Sequence, residues 1–333
     1  MSKKIIILSD DIPGHLNQSR GIALLLSTQF ESSISIVSMT YKFKFLRSVS
    51  NFLAKILCKI MNPFTAHIIK SFYQKIDMNQ ADLIIAAGGN TAPLSAALKN
   101  ILYIPVIQLG SPRGLHPALF NALVTVEKYF DHPANIVVDI TPNTYSPSIC
   151  IDAAKSQDMQ KHLLFLIGGK GIGYSYDQDD WAGLVKNICY IQKVTQLPIT
   201  IVTSRRTDPL VEIKLQDELS TLPMDYSAWY HRGDKNFNLA ALFGSAVSIF
   251  VTEDSAMMIS ESISSGQPVT TLYPSNIKSP LRYQKHLQKY EEASFISRES
   301  IKNFSYRESS DVTIRIENHS ASLKKKLIER IQW

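Results

Sequence analysis

The stretch from Ala246 to Val269, AVSIFVTEDSAMMISESISSGQPV, constrains the fold of this chain more than any other. Ala246–Val251 is an apolar, β-rich run bounded by polar residues, which predicts a strand buried on both faces. Thr252, Glu253, Asp254 and Ser255 then supply cap oxygens and first-turn acids for a helix. Gly266 and Pro268 end that helix and lead into a second strand. Strand, helix and strand in so short a span make the βαβ unit of a parallel sheet. Such sheets place polar ligands at the carboxyl ends of their strands, beside helix N-termini. If Glu253 and Glu261 were both helical, they would lie on similar faces about two turns apart. Carboxylates there suit sugar or ribose hydroxyls, and helix amides suit phosphate oxygens. The plainer alternative is a capped helix with solvated acids.

The same rhythm runs through the whole chain. Lys4–Ser9 reads as a buried first strand, followed by the polar loop SDDIPGHLNQSRG and a helix over Ile22–Thr28. The loop lacks G-x-G-x-x-G, which argues against a dinucleotide site. Asp10, Asp11, His15, Asn17 and Gln18 crowd around Pro13 and Gly14. A histidine with a nearby aspartate fits a general base, and turn-and-cap chemistry is the competing explanation. Ile34–Met39 is the second strand. Asp82–Ala87 is the third, and it ends in Gly88, Gly89, Asn90 and Thr91, a helix start whose amides suit an anion or a sugar. Ile104–Leu109 ends in a loop where Arg113 is placed to meet a phosphate or carboxylate. Short strands over Leu123–Val126 and Ile136–Val138 flank Asp131, His132 and Pro133. Thr141–Pro147 is rich in turn formers and reads as a linker.

The second half restarts with His162–Ile167 and a glycine-rich loop of Gly168, Gly169, Lys170 and Gly171. Neither its spacing nor a following Ser or Thr fits a Walker loop. A helix over Asp177–Val194 and a strand over Pro198–Val202 follow. That strand ends in Ser204, Arg205, Arg206 and Thr207, which suits a phosphate clamp, with a solvated turn as the bland alternative. A short strand over Tyr226–Tyr230, the loop His231–Asn236 and a helix over Phe237–Phe243 precede the opening stretch. A basic helix over Ser279–Lys289 and a Lys-rich amphipathic helix over Ser320–Ile331 follow it.

Composition excludes several classes. With 333 residues, 45% hydrophobic and 19% charged, the chain is globular and long enough for two domains. No apolar run reaches membrane-spanning length, and Ile5–Leu8 is too short for a signal-peptide core, so a cytoplasmic location is expected. The three cysteines are scattered and show no metal spacing. The net charge of +6 favours an anionic partner. Between Ser32 and Ile76 there is no acidic residue, yet Lys42, Lys44, Arg47, Lys55, Lys59, Lys70 and Lys75 all occur. Tyr41–Lys75, broken near Asn62 and Pro63, reads as one or two cationic amphipathic helices suited to anionic lipid. The alternative is a core-facing helix whose lysines face water. No nucleic-acid motif accompanies the basic residues.

These motifs line up, in order, with one family. SDDIPGHLNQSRG, AAGGNTAPLSAALK, IQLGSPR, LIGGKGIGYSY, TSRRT and VTEDSAMMISESISSGQPV resemble the family named for plant mitochondrial fission, "elongated mitochondria". The spacing of Glu253 and Glu261 also resembles the E-x7-E signature of sugar-nucleotide glycosyltransferases. Asp11 stands where the family often has glycine, and Asn90 replaces a common arginine. The family's bacterial members are assigned to glycosyltransferases of surface polysaccharide or lipooligosaccharide. The resemblance implies an α/β fold of two Rossmann-like domains facing a cleft, the GT-B type. Residues 1–150 would form the acceptor and membrane-facing domain and 151–310 the nucleotide-sugar domain, with 311–333 a helix packing back on the first. Asp11, His15 and His132 are then the candidates for catalytic base. Gly168, Gly169, Lys170, Ser204, Arg205 and Arg206 are expected at the donor, with Glu253, Asp254, Ser255 and Glu261. Asn17, Gln18, Gly89, Asn90, Thr91 and Arg113 are expected at the acceptor. No metal or other cofactor is expected. The expected partners are a nucleotide sugar, a lipid-linked or oligosaccharide acceptor and the inner face of the cytoplasmic membrane, not nucleic acid. A non-catalytic membrane adaptor that keeps the fold is the rival.

Overall fold

A computed structural model describes residues 2–43, 45, 47–76, 78, 80–234, 237–306 and 312–332, with Arg47 as backbone alone. Lys44, the Arg47 side chain, Lys235 and Asn236 therefore lie outside the described residues. The chain divides into two compact units, Met1–Thr144 with Asn318–Trp333, and Tyr145–Glu317. The first boundary falls inside the turn-rich linker, a few residues before position 150.

The first unit is built on β1 (Lys3–Ser9), α1 (Pro13–Ser27), β2 (Ser32–Ser38), α2 (Arg47–Cys58), α3 (Pro63–Ser71) and β3 (Leu83–Ala87). It continues through α4 (Ala92–Leu102), β4 (Val106–Leu109), β5 (Ala122–Thr125) and β6 (Asn135–Val137). Its six strands run parallel in the order β2-β1-β3-β4-β5-β6. The central runs IIIL and LIIAA are buried because helices cover both faces of the sheet. Asn62 and Thr65 form a capping box that separates α2 from α3.

The second unit contains α5 (Pro147–Ser156), β7 (His162–Ile167), α6 (Gln178–Thr195), β8 (Ile199–Thr203), α7 (Pro209–Leu219) and β9 (Met224–Ala228). It continues with α8 (Leu239–Ser245), β10 (Ala246–Thr252), α9 (Ala256–Ser264), β11 (Val269–Tyr273), α10 (Leu281–Glu292) and β12 (Ser297–Ser300). Its six parallel strands run β12-β11-β10-β7-β8-β9, the doubly wound dinucleotide-fold order. Phe165 of β7 stacks on Phe250 of β10, ring centroids 4.7 Å apart, and Phe304 packs against both. The last helix, α11 (Thr313–Ile331), starts in the second unit and ends in the first. Leu323, Leu327 and Ile331 join Ile5, Ile7 and Ile22 in the first unit's core.

Candidate functional site

In each sheet the strand order reverses at one place, and there the carboxyl-end loops of two neighbouring strands splay apart. In the first unit this is the gap between β1 and β3. The loop after β1 carries Asp10, whose side chain is almost wholly buried. His15, in the first turn of α1, donates from Nδ1 to both Asp10 oxygens, at 3.0 and 3.1 Å. A carboxylate only accepts, so the shared proton sits on Nδ1, and a neutral ring so held would carry its lone pair on Nε2. Burial pushes the Asp10 carboxyl upward. Hydrogen bonds and charge from His15, the Ile12 amide and Asn90 outweigh that and hold it below the usual range.

Three consecutive residues after β3 complete the cluster. A Cβ on Gly88, whose φ is +86°, would lie 2.3 Å from the His15 ring, so only glycine leaves room for the imidazole. Gly89 is crossed by the Arg113 side chain, whose Cδ would be 2.4 Å from a Cβ there. Asn90 Nδ2 donates to Asp10 at 3.4 Å. Gln108, which sequence reasoning missed as a site residue, is fully buried and donates to the Gly88 carbonyl at 2.9 Å. A glutamine inside the otherwise apolar run VIQL is the signal that was available.

The other expected residues of this unit have different surroundings. Asp11, expected as a candidate base, sits at φ 61°, and its exposed carboxylate accepts from Ser38 Oγ at 2.7 Å. Glycine would adopt that left-handed backbone without strain. His132 belongs to a different turn, where Nδ1 accepts from the Ala134 amide at 3.1 Å and the ring meets His116 edge-on. Thr91 is fully buried and spends its hydroxyl on the carbonyls of Ala87 and Gly88, so it holds the loop rather than facing a ligand. Asn17 accepts from Thr144 Oγ1 at 3.0 Å, and Gln18 beside it is half-buried. Arg113 is exposed at the rim.

In the second unit the reversal lies between β7 and β10. The glycine-rich loop leaves β7, and Glu253, Asp254 and Ser255 leave β10. Gly168 N donates to Thr252 Oγ1 at 2.7 Å, and Thr252 Oγ1 donates to Asp254 Oδ1 at 2.8 Å. Arg206 Nη1, from the loop after β8, donates to the Asp254 carbonyl at 3.1 Å and to Oδ2 at 3.4 Å. Desolvation raises the fully buried Asp254 carboxyl above its ordinary value, against the opposing pull of Thr252 and Arg206. A Cβ on Gly168 would stand 2.0 Å from Asp254 Oδ1, and one on Gly169 2.1 Å from the Arg206 carbonyl. Gly168 and Gly169 thus let the three loops touch one another. Ser204 Oγ accepts from the Arg206 amide at 3.2 Å, and Ser255 caps α9. Lys170 and Arg205 are exposed at the same strand ends, and Arg206 is partly so.

Glu253 departs from its expected place. It precedes α9, so it shares no helical face with Glu261. Fully buried, it accepts from Arg298 Nε at 2.8 Å and Nη2 at 2.9 Å and from Thr271 Oγ1 at 2.8 Å. The Tyr283 hydroxyl donates to its carbonyl, and its amide donates to Tyr176. Its carboxylate is therefore a structural anchor of β12 rather than a ligand for hydroxyls. Arg298 was not legible because β12, SRES, is too short and polar to show a strand period. Glu261 is half-buried on α9 and adds to burial in raising the Tyr145 hydroxyl. Glu212 is another missed anchor: Thr203 Oγ1 donates to it at 2.6 Å and the His231 amide at 2.9 Å. Among the described residues, no group of three or more His, Cys, Asp or Glu is placed to hold a metal.

A sheet reversal in each of two Rossmann-like units, each lined by polar loops, is the GT-B class of fold. The chain belongs to the Mitochondrial fission ELM1 family, which it matches over residues 13–313. It is 26% identical to the uncharacterized protein RP120 of Rickettsia prowazekii, over 83% of this chain and 84% of that one. Among solved structures it is similar to UDP-GlcNAc 2-epimerase from Methanocaldococcus jannaschii, with a TM-score of 0.51 and 13% identity over 100% of this chain and 92% of that one. MurG of Acinetobacter baumannii matches with a TM-score of 0.49 and 13% identity, over 99% of this chain and 95% of that one. At such identities the likeness is one of fold.

Proposed function

We propose that this protein is a glycosyltransferase that moves a sugar from a nucleotide-sugar donor to a cell-surface glycan or a lipid-linked acceptor. The observation that carries this reading is the Asp10–His15 pair at the sheet reversal of the first unit. His15 Nε2 takes the proton of an acceptor hydroxyl as its oxygen attacks the anomeric carbon and the bond to the nucleotide phosphate breaks. Asp10 keeps the ring in the required tautomer and stabilises the imidazolium that forms. The departing phosphate needs positive charge, which Lys170, Arg205 and Arg206 and the amides at the start of α9 supply in the second unit. Direct displacement of this kind inverts the anomeric centre. We place the reaction at the cytoplasmic face of a membrane, where lipid-linked acceptors of lipopolysaccharide or capsule synthesis reside.

One observation favours the rival, a membrane-associated adaptor without turnover: both Glu253 oxygens are spent on Arg298, which removes a carboxylate expected for the donor. The two readings separate with His15→Ala. Transfer predicts a fall in turnover of at least about a hundredfold at unchanged donor affinity. Donor binding with turnover absent in wild type supports the adaptor, whereas turnover unaltered by the substitution removes His15 as the base.

A further inference from the structure

Helix α2 has two apolar faces. Ala54 and Cys58 are buried in the first unit's core beside α4, with Leu57 packed against it. The second face carries Val49, Phe52, Leu53 and Ile56, spaced as one stripe of a helix, and they are 53%, 64%, 42% and 44% exposed. Phe45 before α2, Ile60 after it and Phe64 at the start of α3 are 83%, 62% and 74% exposed. A helix that merely covered the core would bury its largest side chains and turn small or charged ones to water. Here the small ones are inside and the large ones outside.

This segment is anchored to the first unit. Tyr41 and Tyr73 pair at its base, Lys42 N donates to the Phe72 carbonyl at 3.0 Å, and Gln74 N donates to the Thr40 carbonyl at 2.8 Å. The Asn62 capping box fixes the joint between α2 and α3. The excursion from Tyr41 to Tyr73 is thus closed at its root while the apolar stripe stays in solvent. Around it Lys42, Lys59 and Lys75 are exposed, and from Ser32 to Ile76 no acid offsets them.

We propose that this face is the docking surface for an anionic lipid bilayer. Phe45, Phe52, Ile56, Ile60 and Phe64 enter the boundary between headgroups and acyl chains, and the lysines meet lipid phosphates. Charge complementarity selects this occupant. A second copy of the chain would set these lysines against lysines with no carboxylate of the segment between them, whereas an anionic bilayer answers both the charge and the apolar stripe. The inference deepens the membrane placement proposed above and does not depend on whether sugar transfer occurs.

The test is flotation of the full chain with vesicles of equal parts phosphatidylglycerol and phosphatidylcholine, and with pure phosphatidylcholine. Wild type floats with the first and far less with the second. Phe52→Ser with Ile56→Ser weakens binding by at least about tenfold while the melting profile holds, since neither side chain joins the core. Lys55→Gln with Lys59→Gln flattens the salt dependence. Phe52→Trp emits further to the blue when anionic vesicles are added. Wild type that stays in the soluble fraction, or a double serine variant that floats as well as wild type, overturns the proposal. So does a dimer in sedimentation that the same serine substitutions dissolve, because a second copy would then cover the face. Nucleotide-sugar thermal shifts of the serine variant match those of wild type in every case. A silent donor panel therefore counts against sugar transfer alone.

Discussion

In the proposed transfer His15 would serve as a base only while Asp10 holds the proton on Nδ1, so that proposal rests on one pair of side chains. Asp10→Asn leaves the volume unchanged and removes the charge that favours the imidazolium. Turnover should fall by roughly 10²–10⁴, with donor affinity kept, as steady-state kinetics will show. The same pair sets an acid limit. The Asp10 carboxyl is held below its unfolded value, so its stabilisation is complete above about pH 4 and lost as pH falls through the lower folded value. Urea melts stepped through that window should decline more steeply for wild type than for Asp10→Asn. Equal slopes would show that the pair contributes no linkage. Sequence alone named His15 and Asp11 as candidate bases and Gly89 and Asn90 as acceptor residues, but not the pairing of His15 with Asp10, because neighbouring aspartates at a strand end differ only in backbone conformation. Arg205 and Arg206 pose the same problem: only the structure shows that Arg206 reaches Asp254.

At the scale of elements, the ends of helices decided what was legible. The strand–loop–helix rhythm showed through because buried parallel strands are nearly continuous apolar runs. Helices α5 and α7 were missed. Each opens on a cap followed by proline, Ser146-Pro147 and Asp208-Pro209, which resembles turn chemistry until the helix beyond it is known. The capping box at Asn62 was visible as a break, and Asn62→Ala should cost about 1 kcal/mol, read from chemical denaturation. A larger effect belongs to β12. Arg298→Met leaves Glu253 buried without its cation and should destabilise the second unit by roughly 3–5 kcal/mol. A near-neutral result would return Glu253 to the candidates for ligand binding.

At the scale of the molecule, the twelve strands of the described residues, in two parallel sheets, put the candidate loops at the carboxyl ends, where α/β architecture collects ligands. The final helix closes the first unit's core through Leu323, Leu327 and Ile331. Leu327→Ala should cost roughly 2–5 kcal/mol and lower the melting temperature, although it lies far along the chain from β1. The large side chains of α2 run the other way: their periodicity predicts an amphipathic helix, but only packing shows which apolar face the core takes. The most direct test of sugar transfer is a thermal-shift panel of UDP-, GDP-, ADP-, dTDP- and CMP-sugars with their free nucleotides, run on wild type and on Arg206→Ala. A donor at about a hundred times its Kd adds roughly 2.7 kcal/mol to the native state. The account predicts that one nucleotide class raises the wild-type melting temperature and that Arg206→Ala loses most of the shift; a panel in which no class stabilises wild type contradicts it.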